Sequence, residues 1–326
     1  MKIEMAHGGG GVETGELIRS VFARHFTNEY LDPMGDAAVL DMPEGKIAMT
    51  TDAFVVKPLF FPGGDIGRLA VCGTVNDLLM AGAVPMYLTA SFAIEEGMET
   101  ENLDIIARSM REAADEAGVK IVAGDTKVVE GSGGLIITTA GVGAIEGGAV
   151  SIAGARPGDA LILSGFLGDH HAAILSSRMG IENGIMSDDA PLTEMVFSLR
   201  RAGIPIHAMR DVTRGGLATI LNEIASASSC QIEVEKARLP VNRAVRGLCE
   251  ILGLDPLYMG NEGKMAAVVP EEHVEAALGL IRKSRYGEHV ARIGSVKAGK
   301  GVTLLTELGG CRILPPLTGE GLPRIC

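Results

Sequence analysis

LAVCGTVNDLLMAG (69–82) makes up most of a helix that we predict over residues 65–81. Its side chains are almost all apolar, which is typical of a helix buried inside a domain. Asp77 interrupts this stretch, and an unpaired charge in an apolar setting would be costly. We therefore expect a hydrogen-bonding partner or a metal ion beside Asp77.

Helices and short apolar strands alternate on both sides of this stretch. In the first half, hydrophobic periodicity predicts helices over 13–26, 65–81 and 101–117 and strands over 37–41, 47–51, 86–94, 119–123 and 135–145. In the second half it predicts helices near 168–179, 191–202, 215–228, 241–252 and 271–283, and strands near 160–165, 231–235, 264–269, 289–296 and 302–305. A glycine-rich break at 145–159 separates the halves. The sequence thus predicts an α+β fold with domains at 1–150 and 151–316 and a tail at 317–326.

Composition limits the class of protein. A length of 326 residues fits two domains, and a net charge of −12 argues against binding of a phosphate backbone. The apolar runs are far shorter than the roughly 20 residues of a membrane span. The start of the chain lacks the basic and apolar segments of a signal peptide. We expect a cytoplasmic protein that binds neither nucleic acid nor membrane.

The five cysteines differ in their surroundings. Cys72, Cys230 and Cys249 lie among apolar residues, where a free cysteine usually acts as a small core side chain. No CxxC or zinc-site spacing is present. Cys326 instead ends the segment TGEGLPRIC (318–326), whose composition is typical of a tail that does not dock firmly. We expect Cys326 to be a working thiol on a mobile tail.

A glycine run, HGGGG (7–11), precedes the first predicted helix. Its backbone N–H groups at Gly8, Gly9, Gly10 and Gly11 could approach a phosphate closely, and the helix N-terminus favours an anion. The alternative is a flexible glycine leader. Glu16 stands where a P-loop requires lysine, so a Walker-type site is excluded. GVGAIE (141–146) likewise fails the dinucleotide fingerprint, which excludes an NAD site.

Aspartates recur where strands end or turns begin, at Asp36, Asp52, Asp77, Asp125 and Asp211. Mg²⁺ binds through a few carboxylates together with substrate phosphates, so aspartates that converge in the fold would suit an ATP site. An aspartate beside a glycine is more often a turn residue than a ligand, and Asp77 is the exception because it interrupts an apolar helical stretch.

Two further turns carry candidate catalytic groups. Lys127 follows Asp125 and Thr126 at the end of the strand segment KIVAG (120–124), where its charge could neutralise transferring phosphate oxygens. A solvated surface lysine is the alternative. Glu262, in GNEGK (260–264), could accept a proton or bind metal, or be an ordinary turn residue. His170 and His171 are more typical of a helix start than of catalysis.

Taken together, eight motifs resemble one family, the HypE hydrogenase maturation proteins, over essentially the whole chain. They are AHGGGG, LFFPGGDIGRLAVCGTVND, AGDTKVV, LGDHHAA, RDVTRGG, PVNRAVRGLCEILGLD, GNEGK and the terminal PRIC. HypE is part of the superfamily of aminoimidazole ribonucleotide synthetase and selenophosphate synthetase, whose members share the glycine-rich leader, the scattered aspartates and the DVTRGG-like turn. The terminal PRIC distinguishes HypE within it.

The resemblance implies the two-domain, PurM-like fold of aminoimidazole ribonucleotide synthetase. In that fold the N-terminal α/β domain forms a dimeric barrel, hence a homodimer, and the C-terminal domain is α+β. The resemblance also implies a reaction. The carbamoyltransferase HypF loads a carbamoyl group on the terminal cysteine, and ATP drives dehydration of the thiocarboxamide to a thiocyanate. The cyano group then passes to iron held by HypC and HypD for the [NiFe] hydrogenase centre.

Matched by motif, the family's roles pass to numbered residues of this chain. Cys326 becomes the carrier, and Asp77, Lys127 and Glu262 become active-site polar groups. In this hypothesis Lys127 contacts phosphate and Glu262 takes a proton. The implied ATP site comprises Gly8, Gly9, Gly10, Gly11, Asp125, Thr126 and Lys127. The implied Mg²⁺ or phosphate ligands are Asp36, Asp52, Asp77 and Asp211.

Two departures and two alternatives accompany this hypothesis. GDAAV (35–39) has one aspartate where superfamily relatives often have two, and the glycine leader also varies around its glycines. A tail from Leu317 to Cys326 spans at most about 33–36 Å. A sister synthetase that makes selenophosphate or a purine precursor is the first alternative, although no cysteine occurs before Cys72. A non-catalytic, ATP-binding scaffold is the second.

Overall fold

The computed structural model describes residues 2–34 and 37–319. They fall into two compact units, an N-terminal one formed by the described residues up to 60 with 64–147, and a C-terminal one formed by 61–63 with 148–319. Asp36 and Cys326 lie outside the described residues. None of the described helices is long and apolar enough to cross a membrane.

The N-terminal elements begin with a 3₁₀ turn at Met5–Gly8. A continuous helical run follows, made of α1 (Val12–Leu17), a π-helical turn (Ile18–Ala23) and α2 (Arg24–Phe26). The remaining elements are β1 (Ile47–Phe54), β2 (Phe60–Phe61), β3 (Gly64–Asp65), α3 (Ile66–Met80), β4 (Ala83–Glu95), α4 (Thr100–Ala117), β5 (Lys120–Val129) and β6 (Leu135–Ile145).

A sheet with the strand order β1-β6-β4-β5 organises the described part of the N-terminal unit. Strands β4 and β5 are parallel, and the other pairs are antiparallel. Asp65 is the N-cap of helix α3. Its Oδ1 accepts hydrogen bonds from the N–H groups of Gly67 at 2.7 Å and Arg68 at 3.1 Å. A Cβ at Gly67 would lie 2.5 Å from the carbonyl oxygen of Ile106, so glycine permits the close packing of α3 on α4.

One face of this sheet carries the helices, and its other face carries exposed apolar side chains. Burial alternates along β1, so that Thr50, Asp52 and Phe54 share the helix side. On the opposite side Ile47 is 55% exposed and Met49 is 72% exposed. The chain therefore presents an uncovered, partly apolar sheet face within its described residues.

The predicted strand over 37–41 is wrong. These residues are all described and adopt no strand. Val39 is 91% exposed, and the hydroxyl of Tyr87 donates a hydrogen bond to the carbonyl oxygen of Asp41 at 3.0 Å. A short apolar run forms a strand only when a neighbouring edge pairs with it, and this run has no such neighbour among the described residues.

The C-terminal unit contains β7 (Asp159–Leu163), α5 (Asp169–Met179), α6 (Thr193–Arg201), β8 (Ala208–Asp211), α7 (Gly216–Ala227), β9 (Gln231–Glu235), α8 (Arg243–Leu252), β10 (Met265–Pro270), α9 (Val274–Lys283), β11 (Ala291–Lys297), β12 (Gly301–Leu305) and β13 (Cys311–Ile313). Its described strands form one sheet with the order β13-β12-β9-β11-β7-β10-β8. Strand β7 is buried along its whole length, as expected of an interior strand.

Sequence patterns missed the two edge strands of this sheet. The four residues of β8 end in Arg210 and Asp211, and the three residues of β13 are all exposed. Neither segment has the alternating pattern on which a sequence prediction depends. The prediction for the core cysteines is confirmed, because Cys72, Cys230 and Cys249 are buried.

Candidate functional site

A cavity of about 230 Å³ opens at the β5 edge of the N-terminal sheet. The glycine leader and the end of β5 form its polar wall, although they are more than 100 residues apart in the chain. An aromatic wall faces them. The lining includes Gly8, Gly10, Asp125, Thr126 and Lys127 together with Phe22 and Phe92. The structure thus brings five of the seven residues predicted to bind ATP into one cavity.

Two of the four leader glycines are required by their geometry. A Cβ at Gly8 would lie 2.6 Å from the backbone nitrogen of Val128, so only glycine lets the leader contact β5 this closely. Gly10 has a φ of +80°, which disfavours other residues, and its N–H donates to Thr14 Oγ1 at 2.9 Å. Gly9 has an ordinary φ of −79°. The position of Gly8 against β5 is what shapes the cavity wall.

Replacing Gly8 by alanine is expected to displace the leader from β5 and weaken ATP binding about tenfold. The physical reason is overpacking against backbone atoms that cannot move aside, which costs about 1–3 kcal/mol. Isothermal titration calorimetry with ATP measures the effect. Gly9→Ala is the matched control, because its Cβ would have no neighbour closer than 3.5 Å. Equal ATP affinity in the two variants would contradict the role of Gly8.

Lys127 and Asp125 form an ion pair on one side of β5. The Lys127 Nζ donates to Asp125 Oδ1 at 2.6 Å and to Oδ2 at 2.7 Å. This hydrogen bond is the main reason that the pKa of the Asp125 carboxyl lies below its usual value. Both side chains are largely exposed, and exposed pairs contribute only about 0–1 kcal/mol. Phosphate oxygens could therefore replace Asp125 as the partner of Lys127 at little cost.

Asp77 has the hydrogen-bonding partner that the sequence predicts. The hydroxyl of Thr50, on β1, donates to Asp77 Oδ2 at 2.8 Å. Asp52 lies two residues further along β1, on the same side of the strand as Thr50. Its Oδ1 accepts a hydrogen bond from the N–H of Ala53 at 2.8 Å. Asp52 and Thr50, the partner of Asp77, therefore share one side of β1.

Asp52 and Lys127 lie on strands at opposite edges of the sheet. The order β1-β6-β4-β5 separates β1 from β5 by three strand spacings, roughly 14 Å. Within residues 2–34 and 37–319, no group of three or more His, Cys, Asp or Glu side chains is arranged to hold a metal ion. Among the described residues, one copy of the sheet thus does not bring Asp52 close to Lys127.

In the C-terminal unit, Glu262 lies on a tightly held loop before β10. The side chain of Asn261 is fully buried, and its Nδ2 donates to the carbonyl oxygen of Val212 at 3.2 Å. Its Oδ1 accepts from the N–H of Gly168 at 2.8 Å. Glu262 itself is only partly buried. The loop therefore presents its carboxylate from a backbone fixed on both sides.

The predicted ligand Asp211 ends the strand beside this loop. Asp211 is buried and pairs across the sheet with Met265, and Arg210 Nε lies 3.8 Å from its Oδ1. The carbonyl oxygen of the next residue, Val212, accepts a hydrogen bond from the N–H of Asn261 at 2.9 Å. The N–H of Val212 donates to the carbonyl oxygen of Lys264 at 2.9 Å. The RDVTRGG and GNEGK motifs are therefore joined by backbone hydrogen bonds at one edge of the sheet.

Sequence reasoning missed a buried polar cluster next to the Glu262 loop. Asp169 and His170 begin α5 and are buried. Burial raises the pKa of Asp169 to about 7. The nearby charge of Asp188 adds to this rise, and that of Lys264 opposes it. Burial lowers the pKa of His170 to about 4. The LGDHHAA motif contained these residues, but a helix-start pattern gives no sign of their burial.

Replacing Asp169 by asparagine is expected to stabilise the protein more at pH 8 than at pH 5, by roughly 2–3 kcal/mol. The raised folded-state pKa means that native Asp169 keeps its proton while the unfolded chain has lost it. Wild-type stability therefore falls as the pH rises from about 4 to about 7. The asparagine variant has no carboxyl at this position and does not lose this stability. His170, Asp188 and Lys264 are present in both proteins.

Urea unfolding at the two pH values measures this difference. Glu250→Gln serves as the control, since Glu250 is an exposed residue of α8 in the same unit. A stability difference between Asp169→Asn and wild type that does not change with pH would contradict the assignment.

Comparison with known proteins defines the class to which this architecture belongs. The AIR synthase related protein family matches the chain with its N-terminal domain over residues 34–145 and with its C-terminal domain over residues 156–307. The fold is thus that of a two-domain AIR synthase related protein. Carbamoyl dehydratase HypE of Azotobacter vinelandii is 48% identical over 332 residues, covering 99% of this chain and 97% of that protein. The chain belongs to the HypE family of hydrogenase maturation proteins.

Two solved structures agree with this membership. A crystal structure of HypE in complex with ATP matches with a TM-score of 0.95 and 48% identity, covering 99% of both chains. A structure of a HypE–HypF complex matches with a TM-score of 0.81 and 49% identity, covering 92% of this chain and 99% of that one. The resemblance found in the sequence motifs and the PurM-like α+β fold class are therefore confirmed.

Proposed function

We propose that this chain is an ATP-dependent carbamoyl dehydratase. It converts a thiocarboxamide carried on Cys326 into a thiocyanate, which supplies cyanide ligands for the iron of [NiFe] hydrogenase. The observation that carries the proposal is the convergence of Gly8, Gly10 and Lys127 on one cavity. This convergence occurs in a chain that matches carbamoyl dehydratases over its full length. The ATP complex of a HypE relative supports ATP as the co-substrate.

The reaction must remove the carbamoyl oxygen, which is a poor leaving group as hydroxide. Attack of that oxygen on the γ-phosphorus of ATP releases ADP and converts the oxygen into part of a phosphate leaving group. Loss of the two N–H protons and expulsion of phosphate then form the C≡N bond. The products are the Cys326 thiocyanate, ADP and phosphate, so the oxygen that a dehydration without ATP would release as water ends in phosphate.

Each proposed role follows from the chemistry that a residue can supply. Lys127 contacts the transferring phosphoryl oxygens and stabilises their developing charge. The backbone N–H groups of the leader from Gly8 to Gly11 hold ATP phosphates, with Asp125 and Thr126 beside them. Glu262 accepts the N–H proton whose removal drives expulsion of phosphate. Cys326 carries the reacting carbon and does not turn over free substrate.

Magnesium is the metal that the donor set suits. Asp36, Asp52, Asp77 and Asp211 offer hard oxygen ligands, of the kind that Mg²⁺ prefers. Mg²⁺ commonly keeps several waters and binds through one or two carboxylates plus substrate phosphates. This fits described residues that form no complete metal cage of their own. When bound with ATP, the ion would neutralise phosphate charge.

Mass spectrometry of the intact chain tests the proposed function. The protein is incubated with HypF, carbamoyl phosphate and ATP, and the mass on Cys326 is followed with time. We expect a carbamoyl adduct that converts to a cyano adduct, lighter by one water. Omitting ATP from the carbamoylated protein should stop that conversion. A scaffold would give no cyano adduct under any condition.

Two cysteine variants make this experiment specific. Cys326→Ser should carry neither adduct. Cys311→Ser should behave as wild type, because Cys311 is the exposed cysteine among the described residues and reports nonspecific modification. Product formation in Cys326→Ser would exclude the carrier role.

We propose a homodimer formed through the uncovered sheet face of the N-terminal domain, 1–150. Exposed apolar residues on that face, such as Ile47 and Met49, support this interface. So does the distance between Asp52 and Lys127 across one sheet, because a second copy would supply another set of both. The N-terminal domain then serves ATP binding and dimerisation, beside a C-terminal domain, 151–316, and a tail, 317–326.

Replacing Met49 by aspartate is expected to dissociate this dimer, because a charge buried in an apolar interface without a partner is costly. Sedimentation velocity measures the shift from dimer to monomer. Val39→Asp is the control, since Val39 is at least as exposed but lies outside the sheet. A Met49→Asp variant that sediments as a dimer would contradict the proposed interface.

The proposed partners follow from the same assignment. A structure of a HypE–HypF complex supports HypF as the carbamoyl donor. A complex of HypC and HypD would receive the cyano group on iron. All of these steps would take place in the cytoplasm.

A further inference from the structure

A buried carboxylate, that of Asp188, is one of the groups that hold the loop carrying Glu262. Asp188 Oδ1 accepts the backbone N–H of Glu262 at 3.2 Å. Its other oxygen, Oδ2, lies 3.2 Å from the Nζ of Lys264. The Asp188 side chain is 3% exposed and that of Lys264 is 9% exposed. One carboxylate thus bridges the residues on either side of Gly263.

Gly263 lets the segment containing Asp188 lie directly on this loop. A Cβ at position 263 would lie 1.9 Å from the carbonyl oxygen of Asp188, so no other residue fits. The methylene stem of Lys264 runs past Gly165, where a Cβ would lie 2.8 Å from Lys264 Cε. The contact between Asp188 and the loop is therefore built into the backbone packing.

The segment is anchored again at the residue before Asp188. The N–H of Ser187 donates to the carbonyl oxygen of Pro62 at 2.7 Å. The Ser187 Oγ lies 2.8 Å from Nδ1 of His170. Since burial lowers the pKa of His170 to about 4, this histidine is neutral across the physiological range and the anchor does not change with pH there.

Charges from the pair of Asp188 and Lys264 reach a second buried carboxyl, that of Asp169. Its pKa is raised to about 7, mainly by burial, so below that pH it holds a proton. The nearby charge of Asp188 adds to this rise and that of Lys264 opposes it.

We propose that Asp188, held in place by Lys264, is a positioning residue that aims Glu262 at the N–H proton removed during dehydration. This inference rests on the proposed function, in which Glu262 takes that proton. The physical basis is that a general base must lie within hydrogen-bonding reach of its proton. A displacement of about 1 Å can slow a reaction about a hundredfold.

Two neutralised double variants isolate the contact from the ion pair. Asp188→Asn with Lys264→Met removes both charges but keeps an oxygen that can accept the N–H of Glu262. Asp188→Ala with Lys264→Met also removes both charges and has no acceptor. Each variant is made in the full chain and carbamoylated on Cys326. Conversion to the cyano adduct is then followed in a single turnover, with ATP affinity and thermal unfolding measured in parallel.

We expect the asparagine variant to react within about fivefold of wild type and the alanine variant to react at least about 30-fold more slowly. ATP affinity should stay within about threefold in both. In a Glu262→Gln background the alanine variant should cause little further loss, because residues that act as a unit are not additive. A general structural defect would instead lower activity in both backgrounds.

Equal rates in the two double variants would overturn the proposal, as would an undiminished loss in the Glu262→Gln background. If the alanine variant unfolds, the asparagine variant decides alone. A rate within about fivefold of wild type supports positioning by the acceptor oxygen, and a loss above about 30-fold with ATP binding retained overturns it. Absence of a cyano adduct in wild type would instead refute the proposed function itself.

Discussion

Replacing Glu262 by glutamine is expected to slow formation of the cyano adduct about 10²- to 10⁴-fold, the usual contribution of a general base. Glutamine has the same shape but no basicity, and the N–H that binds Asp188 is retained. ATP binding should therefore stay within about threefold of wild type. Single-turnover mass spectrometry of the carbamoylated chain, with calorimetry for ATP, separates the two quantities.

The matched control for this variant is Glu250→Gln. Glu250 is an exposed residue of α8 in the same unit, so its loss should leave both rate and affinity unchanged. Turnover at the wild-type rate in Glu262→Gln would refute the base assignment. A parallel loss of ATP affinity would instead place Glu262 in nucleotide binding.

Replacing Lys127 by methionine is expected to slow dehydration about 10²- to 10³-fold, the effect typical of removing one charge-stabilising donor. The loss has two sources. The transferring phosphoryl group loses its cation, and Asp125 is left as an uncompensated carboxylate in the same cavity. Both effects act on the phosphate end of ATP, so affinity for ATP should fall as well.

Lys120→Met is a close control for this variant. Lys120 lies at the other end of β5, is similarly exposed, and pairs with Glu29 at 2.5 Å. It should retain activity within about twofold, because an exposed ion pair contributes only about 0–1 kcal/mol. The double variant Asp125→Asn with Lys127→Met tests the cause. Recovery of activity in that protein would show that Lys127 only neutralises Asp125.

Much of the architecture could be predicted because it is local. The helix over 65–81 and the strand over 135–145 follow from periodicity, and the observed bounds are Ile66–Met80 and Leu135–Ile145. The local pattern could not show whether residues 37–41 form a strand, since a strand depends on pairing with the edge of a neighbouring strand. The two short edge strands of the C-terminal sheet were missed because their residues lack an alternating apolar pattern.

The candidate site divides in the same way. Gly8, Gly10 and Lys127 were candidates on the chemistry of single motifs, and the structure supplied their shared cavity. The sequence predicted a hydrogen-bonding partner or a metal ion beside Asp77. The identity of that partner as Thr50 required the packing of α3 on β1. Asp188 gave no sequence signal, and the LGDHHAA motif gave no sign that His170 is buried. Their importance arises only from burial and from the residues that they face.

The sequence by itself determined the α+β class, most of the longer helices and strands, the family and the chemical character of each motif. These properties depend on residue type and spacing along a short stretch of chain. Tertiary structure alone decided that Gly8 lies against Val128, that β1 and β5 are opposite edges, and that Asp188 holds the Glu262 loop. Such contacts join segments that are dozens of residues apart in the chain. They are set by strand register and side-chain packing, which no local pattern encodes.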